Sequence, residues 1–263
     1  MKDTIMRAAR DLADSQYAIA LTGAGISTES GIQDFRGPSG VWTKNPEKER
    51  EAYQSYKTFV RDPKTYWIER LTTPSVIGNL EGFKPNKGHY ALMDLETLDI
   101  LKCVITQNVD ALHEKAGNQN LLEYHGNSLK IRCMSCSARF AKELFDLSTL
   151  LKEDKLPPRC PDCGGVVKGD GVTFGEPIPT YMLQASKEEV KKCDLMLICG
   201  TSAIVFPFAD LPRIVKQRGK ATIIEINAEP TQLTHEGVSN YIIQGKTGEI
   251  LPKIVEEVKK ICL

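Results

Sequence analysis

The sequence predicts an α/β fold: a parallel sheet covered by helices on both faces, with a smaller lobe built from two insertions. Three observations predict it. Short apolar runs recur at 17–21, 101–106, 195–199, 221–226 and 241–243, as strands buried on both faces require. Helical periodicity separates several of them, for example at 187–192 and 208–217, and strand–helix alternation argues for a parallel sheet. Two segments, about 33–85 and 127–170, break the alternation.

Taken in order, Ile5, Ala8, Ala9 and Leu12 fall at helical spacing, so residues 3–14 are expected to form an amphipathic helix. The run at 17–21 leads through Thr22 into the glycine-rich turn Gly23-Ala24-Gly25-Ile26-Ser27. Residues 33–85 are polar, charged and aromatic, with Tyr53, Tyr56, Phe59, Tyr66 and Trp67 but no strand pattern. Residues 127–170 hold two thiol pairs and the Pro157-Pro158 turn signal. Ile250, Leu251, Ile254, Val255, Val258 and Ile261 fit a closing helix, with Pro252 expected in its first turn. The expected division is a sheet domain from 1–32, 86–126 and 171–263, a helical module over 33–85, and a ribbon module over 127–170.

Hydrophobic residues make up 41% of the chain, enough for a large core, and the formal net charge is zero. No global field therefore recruits nucleic acid or anionic lipid. The N-terminus lacks the long apolar stretch of a signal peptide, and no run approaches the roughly 18 apolar residues of a membrane span. A cytoplasmic protein is expected. In that reducing compartment paired thiols mean metal or redox chemistry more often than disulfides.

The pairs are Cys133-Met-Ser-Cys136 and Cys160-Pro-Asp-Cys163, with 23 residues between Cys136 and Cys160. A two-residue gap lets both thiolates of a knuckle face one tetrahedral ion, with Zn–S near ~2.3 Å. Gly164-Gly165 suits the tight turn. Four sulfurs close the coordination shell, so the zinc is expected to be structural; a pair of redox dithiols is the alternative. Cys103, Cys193, Cys199 and Cys262 lie in or beside apolar runs and are expected to be small buried hydrophobes.

Gly23 and Gly25 could present N–H groups to phosphate at a strand-to-helix turn. The common dinucleotide pattern wants a third glycine where this chain has Thr28, and a second strand ending in an acid near Thr43-Lys44-Asn45, where none is visible. A hydride-transferring dehydrogenase therefore fits poorly. The stretch from Ser30 to Trp42 has the composition of a mobile lid, with Arg36 able to meet phosphate.

These residues, with others in order, resemble the sirtuins, which are NAD-dependent protein-lysine deacylases. The blocks are Gly23-Ala24-Gly25-Ile26-Ser27, Ser30-Gly31-Ile32 with Asp34-Phe35-Arg36, Gln107-Asn108-Val109-Asp110 with Leu112-His113 and Ala116-Gly117, and His125-Gly126. The four cysteines, Phe174-Gly175-Glu176 with Pro179, Gly200-Thr201-Ser202 and Glu225-Ile226-Asn227 complete them. They span about 18 to 250, and the compact length resembles the short archaeal and bacterial members.

The resemblance implies a Rossmann-like lobe and a small lobe of helical module and zinc ribbon, with NAD and an acyl-lysine peptide entering the cleft between them. NAD would be surrounded by Gly23, Ala24, Gly25, Ser27, Asp34, Phe35, Arg36 and Trp42. Gln107, Asn108 and Asp110 would line the nicotinamide pocket. Gly200, Thr201 and Ser202 would meet the adenosine half, with Asn227 on the adenine ribose and Thr247 near the adenine. Glu225 or Glu229 would disfavour a 2′-phosphate, making NAD the expected dinucleotide. The peptide would add as a strand between Gly175-Glu176 and Val205-Phe206. Val172 would accept the acyl-lysine amide hydrogen bond and Phe174 would wall the alkyl tunnel.

The implied chemistry suits these residue types. Asn108, Asp110 and Gln107 would hold nicotinamide out of conjugation while the acyl oxygen attacks C1′ of the ribose. His125 would then act as the base that activates a ribose hydroxyl. Nicotinamide, free lysine and O-acyl-ADP-ribose would result. His113 is expected to fix a loop by hydrogen bonding, His89 to be structural and His235 to lie on the surface. Gln33 stands where the family has proline or serine, and Ala203 where it has leucine. Thr72 and Ser75 replace a tyrosine and an arginine that serve acidic acyl groups in some members, so neutral chains, acetyl first, are expected.

Two other functions fit parts of the sequence. The same site could end in mono-ADP-ribosyl transfer to a protein side chain. A zinc-ribbon nucleic-acid binder would use Lys130, Arg132, Arg139, Lys142, Lys152, Lys155, Arg159 and Lys168, partly offset by nearby acids. That local excess could also attract basic chromatin-type or nucleoprotein substrates; no sequence-specific nucleic-acid contact and no membrane partner are expected.

Overall fold

Six parallel strands make the main sheet of the computed structural model, which describes residues 2–35, 37, 40–73 and 78–262. Arg36 and Ser75 therefore lie outside the described residues. The first half runs α1 (Lys2–Asp14), β1 (Ala18–Thr22), α2 (Ala24–Ser27), α3 (Val41–Lys44), α4 (Pro46–Arg61), α5 (Pro63–Thr72), α6 (Lys87–Thr97), β2 (Leu101–Thr106), α7 (Leu112–Ala116) and β3 (Leu121–Glu123). The second half runs β4 (Lys130–Cys133), β5 (Arg139–Ala141), α8 (Leu147–Lys152), β6 (Val167–Gly169), α9 (Thr180–Lys192), β7 (Leu195–Cys199), α10 (Asp210–Arg218), β8 (Thr222–Asn227), α11 (Gln232–His235), β9 (Tyr241–Gln244) and α12 (Thr247–Cys262).

The main sheet has the order β3-β2-β1-β7-β8-β9, every pair parallel. Successive strand residues face opposite sides. Ala18 and Ala20 join Leu195, Leu197 and Ile224 under α1, α6 and α12. Ile19 and Leu21 join Met196, Ile198 and Ile223 under α9 and α10. Burial on both faces explains the uninterrupted apolar runs. The α/β class with a Rossmann-like sheet is thus present.

A second, antiparallel sheet of order β5-β4-β6 lies in the cysteine segment. Helices α4 and α5 meet at Asp62, whose side chain accepts the Lys64 and Thr65 N–H groups of α5. Phe59, Tyr66 and Trp67 from these helices share one apolar cluster with Ile131, Leu147 and Val167 of the ribbon segment. The Trp67 indole N–H donates to the Val167 carbonyl at 2.9 Å. No helix among the described residues is long and apolar enough to cross a membrane.

Three expectations change. Strand β3 has no long apolar run because it is a three-residue edge strand, paired to β2 alone. Pro252 lies inside α12 and not in its first turn, since the helix starts at Thr247. It has no N–H to donate to the carbonyl four residues earlier, at a cost of about 3 kcal/mol. Burial of Ile250, Leu251, Ile254, Val255 and Val258 offsets that cost. Cys262 is exposed in the last turn, whereas Cys103, Cys193 and Cys199 are buried as expected; burial pushes the Cys193 thiol up to about 11.

Candidate active site

Strand order reverses between β1 and β7, and the crevice outside the carboxyl ends of the strands opens there. Thr22, Thr106 and Cys199 are aligned at that edge by the strand register. The glycine turn after β1 is shaped by its neighbour after β7. Gly23 N–H donates to Cys199 O at 3.3 Å and Gly25 N–H to Gly200 O at 2.8 Å. Both N–H groups expected to face phosphate are thus committed to protein, and α2 is one turn long. The glycines serve close approach. Gly200 has φ +62, and a Cβ there would sit 2.3 Å from Ile26 N. Gly200→Ala is expected to lose about 1–3 kcal/mol from the left-handed backbone alone, read as a lower urea midpoint; an unchanged midpoint would contradict this packing.

A cleft of about 1540 Å³ occupies this edge. Every residue assigned above to cofactor or substrate lines it, apart from Gly23, which packs on Thr201, Glu225, which is fully buried, and Arg36, which is not described. His125, two residues beyond β3, is half-buried on its wall. Its Nδ1 lies 3.1 Å from the Gln107 carbonyl, so Nδ1 carries the proton and Nε2 is left as the basic nitrogen. Burial holds the imidazole below its ordinary pKa, partly countered by that carbonyl. Gly126, at φ +77, lets the chain turn against the Asp170 backbone, where a Cβ would come within 2.1 Å of its carbonyl oxygen.

The loop after β2 is held by a chain of buried polar groups. Asn86 N–H donates to His89 Nδ1 at 3.3 Å, leaving Nε2–H to face Ser27 Oγ at 3.4 Å. Ser27 Oγ donates to Asp110 Oδ2 at 2.7 Å, and Asp110 Oδ1 accepts the Leu112 N–H at 2.9 Å. Asn108 Nδ2 donates to Gly23 O at 3.0 Å and Ser27 Oγ at 3.1 Å. Burial raises the Asp110 carboxyl pKa, opposed by Ser27 and the Leu112 N–H. His113 meets Thr22 Oγ1 at 3.0 Å, as a loop-fixing residue should. Burial keeps both imidazoles neutral, pushing His113 down to about 4 and His89 to about 2. Sequence reasoning missed Asn86; the visible signal is its position three residues before His89 at a helix start, which forms a capping box.

On the other side of the switch, Gln107 Nε2 donates to Thr201 Oγ1 at 2.6 Å and Asn227 Nδ2 to Thr201 O at 3.1 Å. The Thr247 hydroxyl is buried without a partner among the described residues. Glu225 is not available to a ribose: it is fully buried and accepts from Thr231, Thr234 and Ser239 around α11. Glu229 does line the cleft.

Aromatic rings join the lid to the far wall. Phe35 and Trp42 lie 4.6 Å apart, Trp42 meets Phe174 edge-on at 4.8 Å, and Tyr53 meets Phe174 at 4.9 Å. Val172 N–H donates to the His125 carbonyl at 2.7 Å, fixing this wall beside the histidine. Glu176 turns its carboxylate inward, so only its backbone can meet a peptide. Val205 O already accepts the Ala209 N–H, while Phe206 is exposed. Thr72 spends its hydroxyl on Ile68 O. Arg70, two residues earlier, lines the cleft and lies against Gly169.

The cysteine sulfurs of Cys133, Cys136, Cys160 and Cys163 all lie within 4.8 Å of one another. Cys133 and Cys163 are 3.5 Å apart, Cys136 and Cys160 3.8 Å. Zinc with bonds of ~2.3 Å in a tetrahedron would put them ~3.8 Å apart, so the donor set fits the ion. It stands outside the cleft, as a structural centre should.

The sequence model of the Sir2 family matches residues 23–207. An NAD-dependent protein deacylase from Pyrococcus abyssi is 42% identical over 258 residues, covering 98% of this chain and 99% of the relative. Among solved structures, a Sir2 homologue in complex with NAD superposes with a TM-score of 0.77 at 39% identity, covering 98% of this chain and 94% of that one. A Sir2 protein bound to a myristoylated histone peptide gives a TM-score of 0.66 at 36% identity, over 99% and 98% of the two chains.

Proposed function

This chain belongs to the Sir2 family and is an NAD-dependent protein deacylase, and from that premise we propose that its cleft removes acyl groups, acetyl first, from lysines of protein substrates. Gln107, Asn108 and Asp110 shape the nicotinamide pocket. Asp110 acts by holding Ser27 and the loop, since both its oxygens already accept hydrogen bonds. Gly200, Thr201, Ser202, Asn227 and Thr247 receive the adenosine half, with Ala24, Gly25, Asp34, Phe35, Arg36 and Trp42 around the pyrophosphate and ribose. Val172 and Phe174 hold the acyl-lysine, and Gly175 with Val205 and Phe206 flank the peptide. Lys130, Arg132, Arg139 and Lys168 face carboxylates of the protein, so these four lend no support to a nucleic-acid or chromatin partner. Free thiols throughout favour a reducing, cytoplasmic setting. The division into 1–32, 86–126 and 171–263 with modules 33–85 and 127–170 belongs to this reading.

One observation carries it. The basic Nε2 of His125 lies in a single cleft with the dinucleotide-side residues and with Val172 and Phe174. That nitrogen takes the proton of a ribose hydroxyl as it attacks the acyl carbon. The test mixes the protein with NAD and an acetyl-lysine peptide and weighs the products. Peptide-dependent nicotinamide release with loss of 42 Da (roughly, one acetyl replaced by hydrogen) and formation of O-acetyl-ADP-ribose is expected. ADP-ribose attached to the peptide would overturn it in favour of transferase chemistry.

A further inference from the structure

Four cations of the ribbon segment are not part of a solvated surface. Lys130, Arg132, Arg139 and Lys168 come from β4, β5 and β6, and their partners Glu114, Glu123, Asp170 and Glu176 lie outside those strands. Of these carboxylates, Glu176 lines the cleft and Asp170 sits between the lining residues Gly169 and Gly171. Asp170, with its side chain 1% exposed, accepts the Asn127 N–H at 2.8 Å, two residues after His125. Glu176, also 1% exposed, accepts Arg132 Nη2 at 2.7 Å and Lys168 Nζ at 3.1 Å. It further accepts the Thr173 N–H at 3.0 Å and the Thr173 hydroxyl at 3.1 Å. Lys168 Nζ also donates to Gly169 O and Gly171 O, each at 2.7 Å.

Such an array is a poor source of stability, because desolvation of buried ions cancels most of their attraction. Its directional bonds do something apolar packing cannot: they fix the rotation of a backbone turn. The turn fixed here is Thr173–Glu176, closed by Glu176 N–H to Thr173 O at 3.0 Å with Gly175 at φ +81. It carries Phe174 and follows Val172, which is bonded to His125 O. None of the array touches the Gly23, Gly200 or Asn227 side of the cleft.

We propose that Glu176 is a positioning residue: its carboxylate, gripped by Arg132 and Lys168 of the ribbon, sets the Val172–Gly175 wall for the acyl-lysine peptide and not for the dinucleotide. The inference rests on the deacylase reading of the cleft. Through Arg132, which directly precedes the ligand Cys133, the ribbon's geometry is passed to the peptide wall.

The experiment measures KM for NAD and for an acetyl-lysine peptide, and zinc content, in wild type, Glu176→Gln and Thr173→Val. Glu176→Gln is expected to raise peptide KM about tenfold with NAD KM within about twofold and one zinc per chain retained. Thr173→Val, which strips one bond without unpairing a buried charge, shifts peptide KM in the same direction by less. It decides the question if Glu176→Gln does not fold. Equal shifts in both KM values, or no shift in peptide KM, would overturn the proposal. A wild type without peptide-dependent turnover would sink the deacylase reading itself, a separate result.

Discussion

His125→Ala is expected to lower deacetylation by ~10²–10⁴-fold, the usual contribution of a general base, while NAD still binds. The imidazole is half-buried and its one polar contact among the described residues is a backbone carbonyl, so truncation removes a proton acceptor without uncovering a buried charge. The pH profile should carry the same signature. Burial lowers the His125 pKa, so the neutral, proton-accepting form survives to lower pH than for an ordinary imidazole at about 6.5. The acid limb of kcat/KM should therefore fall below that value in wild type and disappear in the variant. Steady-state rates from pH 4.5 to 8 (about the useful span for a histidine) measure both. A variant retaining more than a tenth of the wild-type rate would remove His125 from the base role.

Removing zinc should be the more destructive change. Four thiolates without an ion repel, and the small sheet β5-β4-β6 has little core of its own beyond the cluster shared with α4 and α5. In isolated zinc-binding modules the metal supplies ~10–16 kcal/mol of apparent folding energy. A chelator, or Cys133→Ser with Cys160→Ser, is expected to abolish deacetylation and lower the thermal midpoint by many degrees. Readdition of zinc should restore the chelated protein and not the double variant. Metal analysis alongside activity checks this. Full turnover with less than a tenth of an ion per chain would show that the sulfurs do not hold the lobe together.

The strands buried on both faces could be read directly, because uninterrupted apolar runs such as 195–199 leave no polar alternative. The cysteine spacing was equally readable, as two short knuckles leave few other uses for four thiols in a reducing chain. Edge strand β3 was not, since a three-residue strand with one exposed side lacks a period. The partner of the glycine turn was hidden too: Gly25 and Gly200 are far apart in sequence, and only the β1–β7 pairing brings them together. Glu225 and Glu176 show the general difficulty. A carboxylate in a sequence reads as a solvated or ligand-facing group, whereas Glu225 is spent on hydroxyls around the following helix α11 and Glu176 on cations of the ribbon strands.

The chain has two tryptophans, and they report on different places. Trp67 packs in the small lobe, 1% exposed, with its indole N–H tied to Val167. Trp42 stands at the mouth of the crevice, wedged between Phe35 and Phe174. The protein thus comes with its own optical gauge: a change in native emission as a nucleotide or peptide settles is expected to arise chiefly at Trp42, without a dye or label.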